Sequence, residues 1–191
     1  SQLMRGSSTY SMGKSILHFR RGKFGLSCDI SKFYNRLHLD PQHYNLHLSL
    51  FVLIRHFYGV ASTAAVMLAC MDDAATAADA LCMNDVAETI RLAFVDDCLN
   101  SLDEEKEIMN LKTELTKFMS ERGFPIKGFA LSGSKPDPSL SPEDHLLVGG
   151  WHWWPETDNL RLNTPIIYLG KKKKGRYEEG TIFLRNPQAK Q

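Results

Sequence analysis

Two adjacent carboxylates interrupt an apolar run in "RLAFVDDCLNSLDEEKE", residues 91–107. Leu92, Ala93, Phe94 and Val95 lead into Asp96 and Asp97, and Cys98 and Leu99 follow. Ionised carboxylates are costly to take out of water unless something pairs with them. A chain that puts two of them here must either turn into solvent or hold a cation. Neighbouring side chains on a strand point to opposite faces, so Asp96 and Asp97 share one site only if the backbone turns. Aspartate tolerates turn geometry. The pattern therefore predicts a hairpin with "TIRLAFV" and "CLNSL" as its two short strands.

A third acid extends the pattern. "FGLSCDI", 24–30, reads as a buried strand with Asp29 near its end. If that strand neighbours the hairpin, three carboxylates converge, and such a cluster repels itself without a counter-charge. Magnesium, or manganese, suits it, because magnesium takes carboxylate oxygens together with substrate phosphates. Two such ions, about 3.5–4 Å apart, clamp attacking and leaving oxygens in polymerases and nucleases. An Asp pair in a surface turn is also commonplace, and spacing alone leaves both readings open. A second pair, Asp72–Asp73, falls mid-helix in "CMDDAATAAD" and reads as a solvated helix face.

The remaining sequence supplies a scaffold. The 191 residues suit one domain or one domain with an appendage, and 43% hydrophobic with 24% charged residues is ordinary for a globular core. A net charge of +1 gives no global basic field, so any nucleic-acid contact must come from local patches. Cys28, Cys70, Cys82 and Cys98 form no C-x-x-C pair and no zinc spacing, and read as reduced core thiols in an intracellular compartment. No run of eighteen apolar residues predicts a membrane span. "SQLMRGSSTYSMG" reads as a polar loop rather than a signal peptide, and as a cut from something larger.

Ser15 to Phe19 suggest a helix, followed by the basic "RRGK". "KFYNRL" reads as a turn or helical segment, and Asp40 with Pro41 as the start of a short helix. Residues 46–54 read as a strand, and Ser62 as the cap of an Ala-rich helix over 63–83. Ile108, Leu111, Leu115, Phe118 and Met119 repeat at helical spacing within 103–123, and Gly123 is placed to end that helix. After a Pro/Ser loop at 133–144 come "LLVGGWHWW", "TPIIYLG" and "TIFLR" as short strands. This order predicts an α+β fold in which helices cross between antiparallel strands.

These motifs, in this order, resemble the reverse transcriptase palm of BEL/Pao-type LTR retrotransposons. "FVDD", 94–97, resembles the Y/F-x-D-D hairpin, and "CDISKFYNRLHLDPQHYNLHLSLF", 28–51, the first catalytic motif. "FYGVASTAAVMLA", 57–69, falls where those enzymes carry a glycine-led loop entering a helix. "ERGFPIKGFALSGS" and "LLVGGWHWWPETDNLRLN" resemble later parts of the palm. The resemblance runs from about Ser8 to the C-terminus.

It implies a polymerase palm: an antiparallel sheet with helices packed on one face around a ferredoxin-like split βαβ core. The implied division is a partial fingers segment at 1–23, the palm at 24–132, and a C-terminal β extension at 133–191. The implied activity is RNA-directed DNA synthesis with two magnesium or manganese ions, a primed RNA or DNA template, and deoxynucleoside triphosphates. Asp29, Asp96 and Asp97 would be the catalytic carboxylates, with Asp29 and Asp96 as direct metal ligands. Ile30 would offer its carbonyl to metal, and Lys32 and Phe33 their backbone N–H groups to the triphosphate. Tyr34 would block a ribose 2′-OH, and Tyr58 and Gly59 would approach the nucleotide. Lys127 would protonate pyrophosphate, and Gly149, Gly150 and Trp151 would form a primer-gripping turn. Ala64 departs from the usual proline of the glycine-led loop. The remaining fingers, a thumb and RNase H would belong to a longer polyprotein, carried in a cytoplasmic virus-like particle. A non-catalytic palm kept for binding RNA or protein is the alternative. A nucleotide cyclase ranks below both, because a "GGDEF"-like hairpin is absent.

Other residues have plainer readings beside functional ones. His38, His43 and His47 mix a helix cap with a strand, so no single face gathers them for zinc. Trp151, Trp153 and Trp154 would stack on bases or cover core. "GKKKKGR", 170–176, and the group Arg20, Arg21 and Lys23 would attract phosphate or simply be solvated.

Overall fold

The computed structural model describes residues 12–37, 61–94, 96–162 and 183–185. In chain order the elements are α1 (Met12–Phe19), β1 (Phe24–Ile30), α2 (Phe33–Arg36), α3 (Ala61–Ala80), α4 (Asn84–Arg91), β2 (Asp97–Leu102) and α5 (Glu105–Glu121). Then follow β3 (Ile126–Leu131), β4 (Leu146–Val148), β5 (Trp151–Trp154), β6 (Asn159–Leu162) and β7 (Phe183–Arg185). The class is α+β, as the sequence predicts.

β1 is the middle strand of a three-stranded sheet ordered β2-β1-β3, antiparallel to both neighbours. β2 and β3 are therefore parallel to each other, joined through α5 with β1 inserted between them: a split β-α-β unit. The mostly apolar β1 sequence follows from burial on both faces. Leu26, Cys28 and Ile30 enter a core with Met67, Met71 and Ala75 of α3, Ile90 of α4, and Leu111, Leu115 and Met119 of α5. The alternate residues of this sheet, such as Leu99 and Ala130, enter a second core with Ile16, Phe19, Leu146, Val148, Trp153 and Leu160. That core is closed by the second sheet, ordered β4-β5-β6-β7. The expectation of helices on one face holds for α3, α4 and α5. It fails for α1, whose Ile16 and Phe19 pack with the second sheet.

α5 ends as its sequence requires. Gly123 stands at φ +80°, its N–H donating to the Ser120 carbonyl (3.0 Å) while the Phe124 N–H donates to that of Met119 (2.9 Å). This pairing satisfies the last carbonyls of the helix. It also delivers the Phe124 ring edge-on to Phe33, 5.1 Å between centroids. Glu105 and Glu107 lie in the first turn, where the helix dipole favours negative charge.

Three expectations need correction. "TIRLAFV" is not a strand: Thr89–Arg91 close α4, whose Val86, Ala87 and Ile90 are buried on one face. β-branched Thr89 and Ile90 imitate a strand, but Val86 and Ile90, four apart, form a helical stripe that packs against α3 and β2. The Ala-rich helix ends at Ala80 rather than Met83, because Cys82 adopts a left-handed φ of 57°. Ser62 lies inside that helix, one residue past its start, rather than ahead of it. Asp72 and Asp73 are exposed, as expected of a solvated face. The expectations for Asp40, Pro41, the 46–54 strand, His38, His43, His47, "TPIIYLG" and "GKKKKGR" lie outside the described residues.

The Pro/Ser loop covers the outer edge of β3. The Asp137 N–H donates to the Phe129 carbonyl (3.1 Å) and the Ser139 hydroxyl to that of Lys127 (3.0 Å). Gly128 makes this approach possible, since a Cβ there would lie 2.3 Å from Ser139 Oγ and 3.1 Å from Asp137 Cγ. Gly128→Ala is expected to cost about 1–2 kcal/mol by overpacking. Hydrogen exchange at Asp137 should accelerate with it, and unchanged exchange would show that the loop accommodates the methyl group.

Candidate metal centre

The hairpin reduces to a single tight turn. The Phe94 N–H donates to the Asp97 carbonyl (2.8 Å), and the Asp97 N–H to that of Phe94 (3.1 Å). Asp96 lies in this turn and Asp97 opens β2. The turn sits against β1, where the Ile30 N–H donates to the Asp96 carbonyl (3.1 Å). In the register of the ladder Asp29 faces Asp97. The bond at Ile30 makes Asp29–Asp97 a non-hydrogen-bonded pair, the kind whose side chains approach most closely.

Asp29, Asp96 and Asp97 each offer a carboxylate oxygen, and the three oxygens lie within 4.8 Å of one another. Among the described residues no other group of three His, Cys, Asp or Glu side chains gathers so closely. Lys127, on β3, places Nζ 3.7 Å from Asp29 Oδ2. Among the described residues, one cation thus faces three acids. Burial, then the charges of Asp96 and Asp29, push the Asp97 carboxyl up to about 7. Asp29 is also raised, by burial first and then by Asp96, while Lys127 pulls it down. The cluster is short of positive charge, and all its donors are hard oxygens. That donor set fits magnesium or manganese and disfavours metals that prefer thiolate or imidazole.

The carboxylates open onto a cavity of about 230 Å³. Ser27, Asp29 and Asp97 line one side, and Ser141, Leu146 and Val148 the other. The far wall belongs to the β4–β5 hairpin, whose turn residues Gly149 and Gly150 have φ of 56° and 82°. Two successive positive φ values mark the type I′ turn that joins strands most tightly. Trp151 is half-buried and packs on the second core.

The structure treats the remaining predicted residues unevenly. Ile30 is fully buried. Lys32 is exposed with a left-handed φ of 52°, in the turn before α2. Phe33 is core, against Phe124. Tyr34 belongs to α2 by its backbone. Tyr58 and Gly59 lie outside the described residues. Trp153 is wholly buried rather than available for stacking, and Trp154 stacks on His145 with centroids 4.9 Å apart.

Sequence reasoning missed the tie that seats the cavity wall. Asp158 accepts from Arg20 Nη1 (2.7 Å), Trp153 Nε1 (2.9 Å) and Ser132 Oγ (3.2 Å), while its carbonyl accepts from Arg20 Nη2 (2.9 Å). Arg20 is therefore engaged inside the protein rather than part of a free basic patch. Nothing local in the sequence links positions 20 and 158. No protein-family model and no curated protein matches the chain.

Proposed function

We propose that this chain is the palm of a reverse transcriptase of the BEL/Pao type, extending a primer 3′-OH with deoxynucleotides on an RNA or DNA template. The observation that carries this reading is the convergence of Asp29, Asp96 and Asp97 within 4.8 Å, from a strand and a turn far apart in sequence. Asp29 and Asp96 would hold magnesium or manganese, with Asp97 completing the set. Bound, such ions activate the attacking oxygen and neutralise charge on the phosphates.

The chain's own residues do the rest. The β1–β2 ladder fixes Asp29 opposite Asp97 before any substrate arrives, so little reorganisation remains at the moment of reaction. Lys127 stands beside Asp29 and would hold a proton for the departing pyrophosphate. The wall at Leu146–Val148 offers apolar contact to a primer strand without reading its sequence.

The test is primer extension in magnesium or manganese by a longer protein that adds fingers and thumb segments. Extension that disappears in Asp96→Asn supports the reading. No extension by the unaltered protein, where a related enzyme works, favours a palm retained for binding.

A further inference from the structure

Cys28 and Cys98 face each other across β1 and β2, one register step from Asp29 and Asp97. Both side chains are buried in the first core, 1% and 0% exposed. Neither sulfur is in a disulfide. We propose that this pair is a modification site: a cross-strand disulfide, closed by a peroxide, that loosens the adjacent carboxylate centre.

The backbone permits the bond. Since Ile30 and Asp96 are hydrogen-bonded, Cys28–Cys98 is also a hydrogen-bonded pair, two steps along. Such pairs have Cα atoms about 5.5 Å apart, inside the range disulfides span. Their Cβ atoms stand wider than the roughly 3.8 Å a disulfide prefers. Closing the bond must therefore draw and twist the two strands. That distortion acts one residue away on Asp29–Asp97, whose oxygens share a site only in the present register. Strain also makes the bond easily reduced, as befits a reversible device.

The chemistry balances with the named oxidant. One thiol takes oxygen from the peroxide, giving a sulfenic acid and an alcohol or water. The second sulfur attacks it, the S–S bond forms, and water leaves. Both thiols lie in the first core, so a small peroxide reaches them when the strands open locally.

The experiment uses the full chain carrying Cys70→Ser and Cys82→Ser, so that the half-buried Cys70 and exposed Cys82 cannot compete. After hydrogen peroxide, the mass should fall by about 2 Da, two hydrogens, with one linked peptide pair containing Cys28 and Cys98. Dithiothreitol should restore the mass. Manganese affinity, followed by titration, should fall at least about fivefold on oxidation and return on reduction, and Cys98→Ala should abolish both effects. Addition of oxygen to either cysteine without linkage, or thiols left intact, would overturn the proposal. So would linkage with unchanged manganese affinity. The affinity arm rests on the metal-centre reading. Should the reduced protein bind no manganese, that reading fails, while the mass result still decides whether the bond forms.

Discussion

Metal-free protein should lose stability as pH rises from about 4 to about 7, and Asp97→Asn should remove most of that loss. The Asp97 carboxyl is raised from 3.8 to about 7 in the fold, by burial and by the neighbouring charges of Asp96 and Asp29. The native state therefore binds its proton more tightly than the unfolded chain. For an acid shifted upward, the stabilisation is complete below the unfolded value and disappears as pH climbs through the folded one. A shift of that size sets a ceiling of about 4 kcal/mol. Solvent at the open side of the site lowers the expected loss to about 2 kcal/mol. Urea midpoints at steps from pH 4 to 8 measure it, and the difference between wild type and Asp97→Asn isolates this group from others titrating in the same range. Asp97→Asn should be the more stable protein at pH 7.5 without metal. Magnesium or manganese should reverse that order, because ligand binding to the native state adds stability to wild type alone. Parallel pH curves for the two proteins would show that Asp97 ionises freely, and the carboxylates would then lack the repulsion that calls for a cation.

Much of this centre is legible in the sequence because its signals are local. Asp29 ends an apolar run short enough to be a strand, and two adjacent acids in an apolar context force a turn. The turn then fixes where the carboxylates go, whichever element leads into it. Thr89 and Ile90 carry strand-like side chains, yet α4 brings the chain to the same place and Phe94 bridges to Asp97. Helix α5 was readable from its repeating apolar stripe and Gly123. What stays hidden is the meeting of distant segments. Trp153 and Trp151 look alike in "GGWHWW", and only the packing of β5 on Phe19 makes one wholly buried and the other half-buried. The Pro/Ser loop carries turn residues that say where the chain bends, but not that Asp137 and Ser139 would close the edge of β3 beside Lys127.

Loss of Asp158 should cost the fold heavily. Asp158→Ala leaves the Arg20 guanidinium, its side chain only 14% exposed, without its carboxylate, and strips Trp153 Nε1 and Ser132 Oγ of their acceptor. Breaking a buried ion pair from one side typically costs about 3–5 kcal/mol, and urea unfolding should show a loss in that range with an unchanged slope. Removing Arg20 as well, as Arg20→Met with Asp158→Ala, should recover part of it, because the stranded charge is gone. A single-mutant loss under about 1 kcal/mol would mean that water already satisfies Arg20. Asp158→Asn separates stability from function. It keeps the shape and the left-handed φ of 52° that the β5–β6 turn requires, while weakening the hold of α1 on the second sheet. The carboxylate geometry comes from the β1–β2 ladder, whereas the cavity wall comes from β4 and the Pro/Ser loop. Asp158→Asn should therefore leave manganese affinity within about twofold, since the ladder holding the ligands is untouched, and weaken binding of a primed template. Equal loss of both would place the two under a single structural control and make the wall part of the metal centre itself.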